Sequence, residues 1–149
     1  MIYLEDLAPG RTERFGEYRV SREEVLEFAR KYDPQPFHLS DEVAAQTPFG
    51  RIAASGWHTG AMTMRMLVER WWAAGLQGLG SPGIEELRWL RPVFPGDTLS
   101  VEAEILATRP SRSRPGIGLF KARVTTLNQT QEPVMTHVAT VMIRRRPAE

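Results

Sequence analysis

The 149-residue chain contains no cysteine. It can form no disulfide framework, present no thiolate nucleophile and fold around no zinc ribbon, and it suits a reducing compartment, so the cytoplasm is the expected location. Lysine is scarce too: seventeen of the nineteen basic residues are arginine, leaving only Lys31 and Lys121. Eighteen acidic residues reduce the formal charge to +1, which gives no ground for a nucleic-acid or membrane-surface partner. Histidine occurs three times, at positions 38, 58 and 137, and no pair has the spacing of a metal-binding helix or zinc finger, so no metal is expected. Long apolar runs are missing as well. The richest stretch, Gly56 to Leu76, is broken by Arg65, Glu69 and Arg70, whereas a membrane-spanning helix needs about 20 mostly apolar residues. The N-terminus reaches Glu5 and Asp6 without the basic start and apolar run of a secretory signal. There is no G-x-S-x-G elbow, no P-loop and no G-x-G-x-x-G between a strand and a helix, so serine hydrolase, nucleotide hydrolase and dinucleotide-binding readings lack their signatures.

What is present is the composition of one soluble globular domain spanning residues 1–149: 42% hydrophobic, 25% charged and 9% aromatic. Ser21-Arg-Glu-Glu24 has the capping-box form, in which the serine hydroxyl and the glutamate carboxylate each satisfy a free backbone N–H. The spacing of Val25, Phe28, Ala29 and Tyr32 then predicts a helix that stops at Asp33, where Pro34 disfavours helical geometry. A second, longer helix is predicted from Ser55 to about Ala74, with Trp57, Ala61, Met64, Val68 and Trp71 on one face and Met62 and Leu67 widening it. It should be the buried centre of the domain. A Gly-rich loop follows from Gly75 to Gly83.

From Ile84 the pattern turns to strands, IEELRWLRPV, TLSVEAEILAT, GLFKARVTTLN and VMTHVATVMI, each ending at a turn signal. Leu99, Val101, Ala103 and Ile105 alternate with Ser100, Glu102 and Glu104, and Phe120, Ala122 and Val124 with Leu119, Lys121 and Arg123, the period of strands with one buried face. Pro95-Gly96-Asp97, the loop from Pro110 to Gly116 and the loop from Asn128 to Pro133 read as hairpin connections. The expectation is an α+β domain, an antiparallel sheet covered by helix, and association of two copies is one way to cover its remaining face and edges.

The most concentrated titratable feature is YDPQPFH, Tyr32 to His38. Two prolines fix backbone φ between an acid and an imidazole, so Asp33 and His38 can be held in a set relation at low entropic cost. An Asp and a neutral His that converge on one water can orient it, take a proton and return one to an adjacent carbon, which is hydration or dehydration chemistry. Downstream, Ser55-Gly56 is a small-residue turn directly before the long helix, whose free N–H groups can hold a developing oxyanion.

These residues resemble the MaoC-like (R)-specific enoyl-CoA hydratases and dehydratases of the hot-dog fold. The hydratase motif reads approximately D-x-N-P-x-H, and Asp33-Pro-Gln-Pro-Phe-His38 keeps the Asp, the second Pro and the His, with Gln35 in place of Asn. FGRIAASGW, with Gly56 eighteen residues after His38, and RPVFPGDTL agree as well. Ser55 stands where many relatives have His. The resemblance implies a sheet wrapped around the long helix, Asp33 and His38 as the catalytic pair, and the Gly56 amide on the thioester carbonyl. It also implies an acyl-CoA or acyl-carrier-protein thioester as substrate, no cofactor other than coenzyme A as part of that substrate, a role in fatty acid metabolism, and a homodimer or higher homo-oligomer. Phe37, Phe49, Ser55 and Trp57 become candidates for substrate binding. The arginine clusters at 109, 112 and 114 and at 144–146 could contact coenzyme A phosphates. A hot-dog thioesterase and a non-catalytic acyl-thioester-binding module are the alternative readings.

Overall fold

The computed structural model describes residues 1–148. Helix α1 runs Arg22–Tyr32, started by Ser21, whose hydroxyl accepts from the Glu24 N–H at 3.2 Å. Only that half of the capping box forms, because the Glu24 carboxylate is engaged elsewhere. Tyr32, placed by its spacing on the buried stripe, is 67% exposed, while Val25 and Ala29 are buried. A short helix α2, Asp41–Ala45, capped by Ser40, was not legible in the periodicity. Helix α3 spans Gly56–Ala73, roughly 27 Å at 1.5 Å per residue, and crosses the inner face of the sheet.

The four expected strands are β2 (Gly83–Trp89), β3 (Thr98–Pro110), β4 (Ile117–Leu127) and β5 (Pro133–Arg144). A fifth, β1 (Thr12–Arg19), precedes the helices and escaped the sequence pattern, since a bulge after Phe15 breaks its alternation. All pairings are antiparallel, in the order β1-β3-β4-β5-β2. Thus β3-β4 and β4-β5 are hairpins as expected, but Pro95-Gly96-Asp97 is not: it joins β2 and β3, which lie far apart in the sheet, and its backbone is bonded to Val20 at the end of β1. No helix among the described residues is long and apolar enough to cross a membrane.

The core lies between α3 and the inward side chains of the sheet. Met62, Met66 and Leu67 pack among Leu99, Val101, Phe120, Val124 and Ile143, and Trp71 meets Phe120 edge-on at 5.8 Å. Each fully buried aliphatic or aromatic side chain contributes about 1.5–3 kcal/mol. The face of α3 that is buried differs from the one its apolar residues suggest. His58, Thr59, Met62, Thr63, Met66 and Leu67 face in, while Trp57, Met64 and Val68 are exposed, with Trp72 beside them. The inward hydroxyls are tolerated because they are paired: Thr63 Oγ1 donates to the Thr59 carbonyl at 2.8 Å and lies 2.7 Å from Thr126 Oγ1 on β4.

The bulge in β1 depends on Gly16, at φ +86°, where a Cβ would stand 2.6 Å from the Met66 sulfur. Gly16→Ala is therefore both strained and overpacked, and should lower unfolding free energy by about 1–3 kcal/mol, read as a lower denaturation midpoint with an unchanged slope.

Candidate active site

Asp33 ends α1. Its N–H still bonds the Ala29 carbonyl at 3.0 Å, but its backbone has left the helical region, at φ −148° and ψ 65°, ahead of Pro34. Pro36 then opens a single 3-10 turn, Pro36–His38, that folds the imidazole back beneath the carboxylate. His38 Nε2 lies 3.2 Å from Asp33 Oδ2, and the imidazole is buried. On its other side Nδ1 is 2.8 Å from the Ala53 carbonyl, which can only accept, so Nδ1 carries the hydrogen and the basic Nε2 is the nitrogen aimed at Asp33. The Nε2 edge of the imidazole thus faces Oδ2 of the carboxylate within hydrogen-bond reach. That arrangement is completed by a shared proton or by an O–H donor such as water.

Burial alone would push the Asp33 carboxyl up. Hydrogen bonding from Ser55 and Gln35 and the neighbouring His38 outweigh it and hold the group below the ordinary aspartate value. Gln35 Nε2 donates to Oδ1 at 2.7 Å. The Ser55 hydroxyl is wholly buried and has no partner in full hydrogen-bond geometry, yet it stands close enough to the carboxylate to stabilise its charge. Because the folded value is depressed, Asp33 contributes stability above its unfolded value, and that contribution is lost as pH falls through the folded one.

The buried segment Ile52–Ser55 leads into α3, tied to the RPVF stretch by the Ala54 N–H to the Val93 carbonyl at 2.8 Å. Ser55 caps α3 without a side-chain bond, which leaves the amides of the first turn, Gly56 foremost, without an intrahelical acceptor. Position 56 has to be glycine: a Cβ there would lie 2.6 Å from the Trp89 ring, whose Nε1 donates to the Gly56 carbonyl at 2.8 Å.

Asp33, His38 and Gly56 line one cleft of about 440 Å³, walled by Phe37, Phe49, Trp57 and Trp89. Phe37 packs 4.4 Å from the His38 ring, and Trp57 meets Trp89 edge-on at 5.1 Å. Of the residues expected at the site, only Ser55 is not on the cleft wall; it sits behind Asp33. Trp89 was missed, since a tryptophan at the end of an edge strand carries no local signal of contact with a residue 33 positions away. A second cleft of about 450 Å³, over Lys121 and Thr140, has no Asp–His pair. The arginine clusters do not reach the site within the chain. Arg109, Arg112 and Arg114 belong to the β3-β4 hairpin, at the opposite end of the sheet from Trp89, while Arg145 and Arg146 pair with Glu5 and Asp6.

A sequence-family model described as the MaoC like domain matches residues 6–126. The chain is 35% identical over 116 residues to the 3-hydroxybutyryl-CoA dehydratase of Methylorubrum extorquens, covering 76% of this chain and 70% of that protein. Among solved structures it is similar to the MaoC-like dehydratase from Rhodospirillum rubrum, with 42% identity, a TM-score of 0.87, and 99% of this chain and 100% of the other covered. It is also similar to the unliganded R-hydratase of Pseudomonas aeruginosa, at 27% identity and a TM-score of 0.73, over 99% and 92% of the two chains.

Removing the hydroxyl in Ser55→Ala should raise the Asp33 pKa toward the ordinary carboxylate range. An NMR titration of the side-chain carboxyl carbon reads this directly, with the midpoint moving to higher pH.

Proposed function

The chain belongs to the MaoC-like dehydratase family and has its hot-dog fold, and on that footing we propose that it adds water to a 2-enoyl-CoA thioester, or removes it from a 3-hydroxyacyl-CoA, through Asp33 and His38. The observation that carries this reading is the pairing of Asp33 with a tautomer-fixed His38 on the wall of a cleft that Gly56, at the start of α3, also lines. A water in that cleft donates to the two facing acceptors, Asp33 Oδ2 and His38 Nε2. As the pair takes one of its protons, the water oxygen bonds to C3 of the enoyl group. The π electrons move to C2 and onto the thioester oxygen, which the Gly56 N–H and the helix terminus stabilise. The proton held by the pair then passes to C2, so the net change is addition of one water across the double bond. Dehydration is the same path reversed. The reaction calls for no redox partner, and coenzyme A takes part as the handle of the substrate.

Asp33→Asn and His38→Gln should each fold with near wild-type melting temperature and lose about 10²–10⁴-fold in turnover, measured as loss of the conjugated double bond of an enoyl-CoA. Thiol release with the double bond intact would transfer the case to a thioesterase.

The same reading includes pairing of two copies. Strand β2 is an unpaired edge, with Ile84 and Trp89 about half exposed, and α3 presents Trp57, Met64, Val68 and Trp72 to the outside. A two-fold axis beside β2 lets each edge satisfy the other and covers both apolar stripes at once. Sedimentation should give about twice the 16.9 kDa chain mass, and Met64→Glu with Val68→Glu should return it to one.

A further inference from the structure

Three elements converge on one oxygen of Glu24. Its Oε1 accepts from the Tyr18 hydroxyl on β1 and lies 3.2 Å from His58 Nε2 in the first turn of α3. The bulge at Gly16 makes this possible, because it shifts the alternation of β1 by one residue and turns Tyr18 inward. The Tyr18 donor and the His58 contact hold the Glu24 carboxyl below its ordinary value, against its partial burial, so it is an ionised acceptor at neutral pH. Burial and the Glu24 bond raise the Tyr18 phenol to about 12, which keeps it a donor.

His58 is only 3% exposed. Phe28, one turn beyond Glu24 on α1, stacks on its ring at 4.7 Å with the planes 6° apart. α1 therefore holds the imidazole by an edge and a face. With Nε2 donating to Glu24, Nδ1 remains as a buried acceptor that has no partner. An apolar side chain would fill the same space without burying an unpaired lone pair, so packing does not account for the imidazole. Its place in the chain does: His58 lies two residues beyond Gly56, and the helix that grips it ends at Asp33.

We propose that His58 is a positioning residue, which with Glu24 clamps α1 to the first turn of α3 and so sets the separation between the Asp33–His38 pair and the Gly56 amide. The role rests on the hydratase reading, since it concerns the alignment of the proton-transfer pair with the oxyanion donor.

The test compares His58→Leu with His58→Gln, whose side-chain amide can still donate to Glu24. Each is assayed with an enoyl-CoA, and each has its Gly56 amide resonance recorded in the ¹⁵N–¹H spectrum. His58→Leu should lose at least tenfold in kcat with KM within about twofold and should shift the Gly56 resonance, and His58→Gln should restore both. Wild-type kcat in His58→Leu, or equal losses in the two variants, overturns the proposal. A wild type that turns over no enoyl or 3-hydroxyacyl thioester overturns the hydratase reading instead. The Gly56 resonance then decides the clamp: a shift in His58→Leu reversed in His58→Gln supports it, and an unmoved resonance removes it.

Discussion

A single backbone carbonyl sets the orientation of the imidazole in the candidate site. The oxygen of Ala53 can only accept, and by holding Nδ1 of His38 it fixes which imidazole nitrogen is basic and where it points. A side chain in that place could rotate away or change protonation state; a carbonyl in a buried segment does neither. Ala53 is fixed because Ala54 is bonded to Val93 and because Ile52 and Ser55 are sealed in the core. The orientation of the imidazole is thus set by main-chain pairing between two stretches about 40 residues apart, Ala54 with Val93.

The parts legible from the sequence are those whose cause is local. Asp33 ends a helix because Pro34 follows, His38 returns to it through a proline-started turn, and Gly56 opens α3, all within a short reach along the chain. The inner faces of β3 from Leu99 to Ile105 and of β4 from Phe120 to Val124 were equally plain, since a period of two has one meaning in a sheet. Strand β1 was hidden by its bulge, and the neighbours of β2 by pairings that no hairpin dictates. The orientation of α3 was misread for a physical reason. Apolar content pointed to the side bearing Trp57, Met64 and Val68, but Thr59 and Thr63 can be buried at little cost once their hydroxyls are paired, and the hydropathy of a threonine does not register that pairing. Trp89 and the Glu24 cluster were invisible because each is made of residues from different elements.

The site divides its labour between permanent and ionisable parts. Gly56 and Ala53 contribute backbone dipoles, which do not titrate, and Asp33 contributes a charge kept in place by hydrogen bonding against the pull of burial. Near the site, the Ser55 hydroxyl is buried against that carboxylate without a partner in full geometry, and His58 Nδ1 is buried with none.

The bond from the Trp89 indole to the Gly56 carbonyl joins the outermost strand of the sheet to the amide end of the central helix. Strand β2 is the outermost strand beyond β5, so the indole links that edge of the sheet to the first turn of α3. If the proposed pairing at β2 and the proposed chemistry both hold, quaternary state and reactivity are coupled through this one bond.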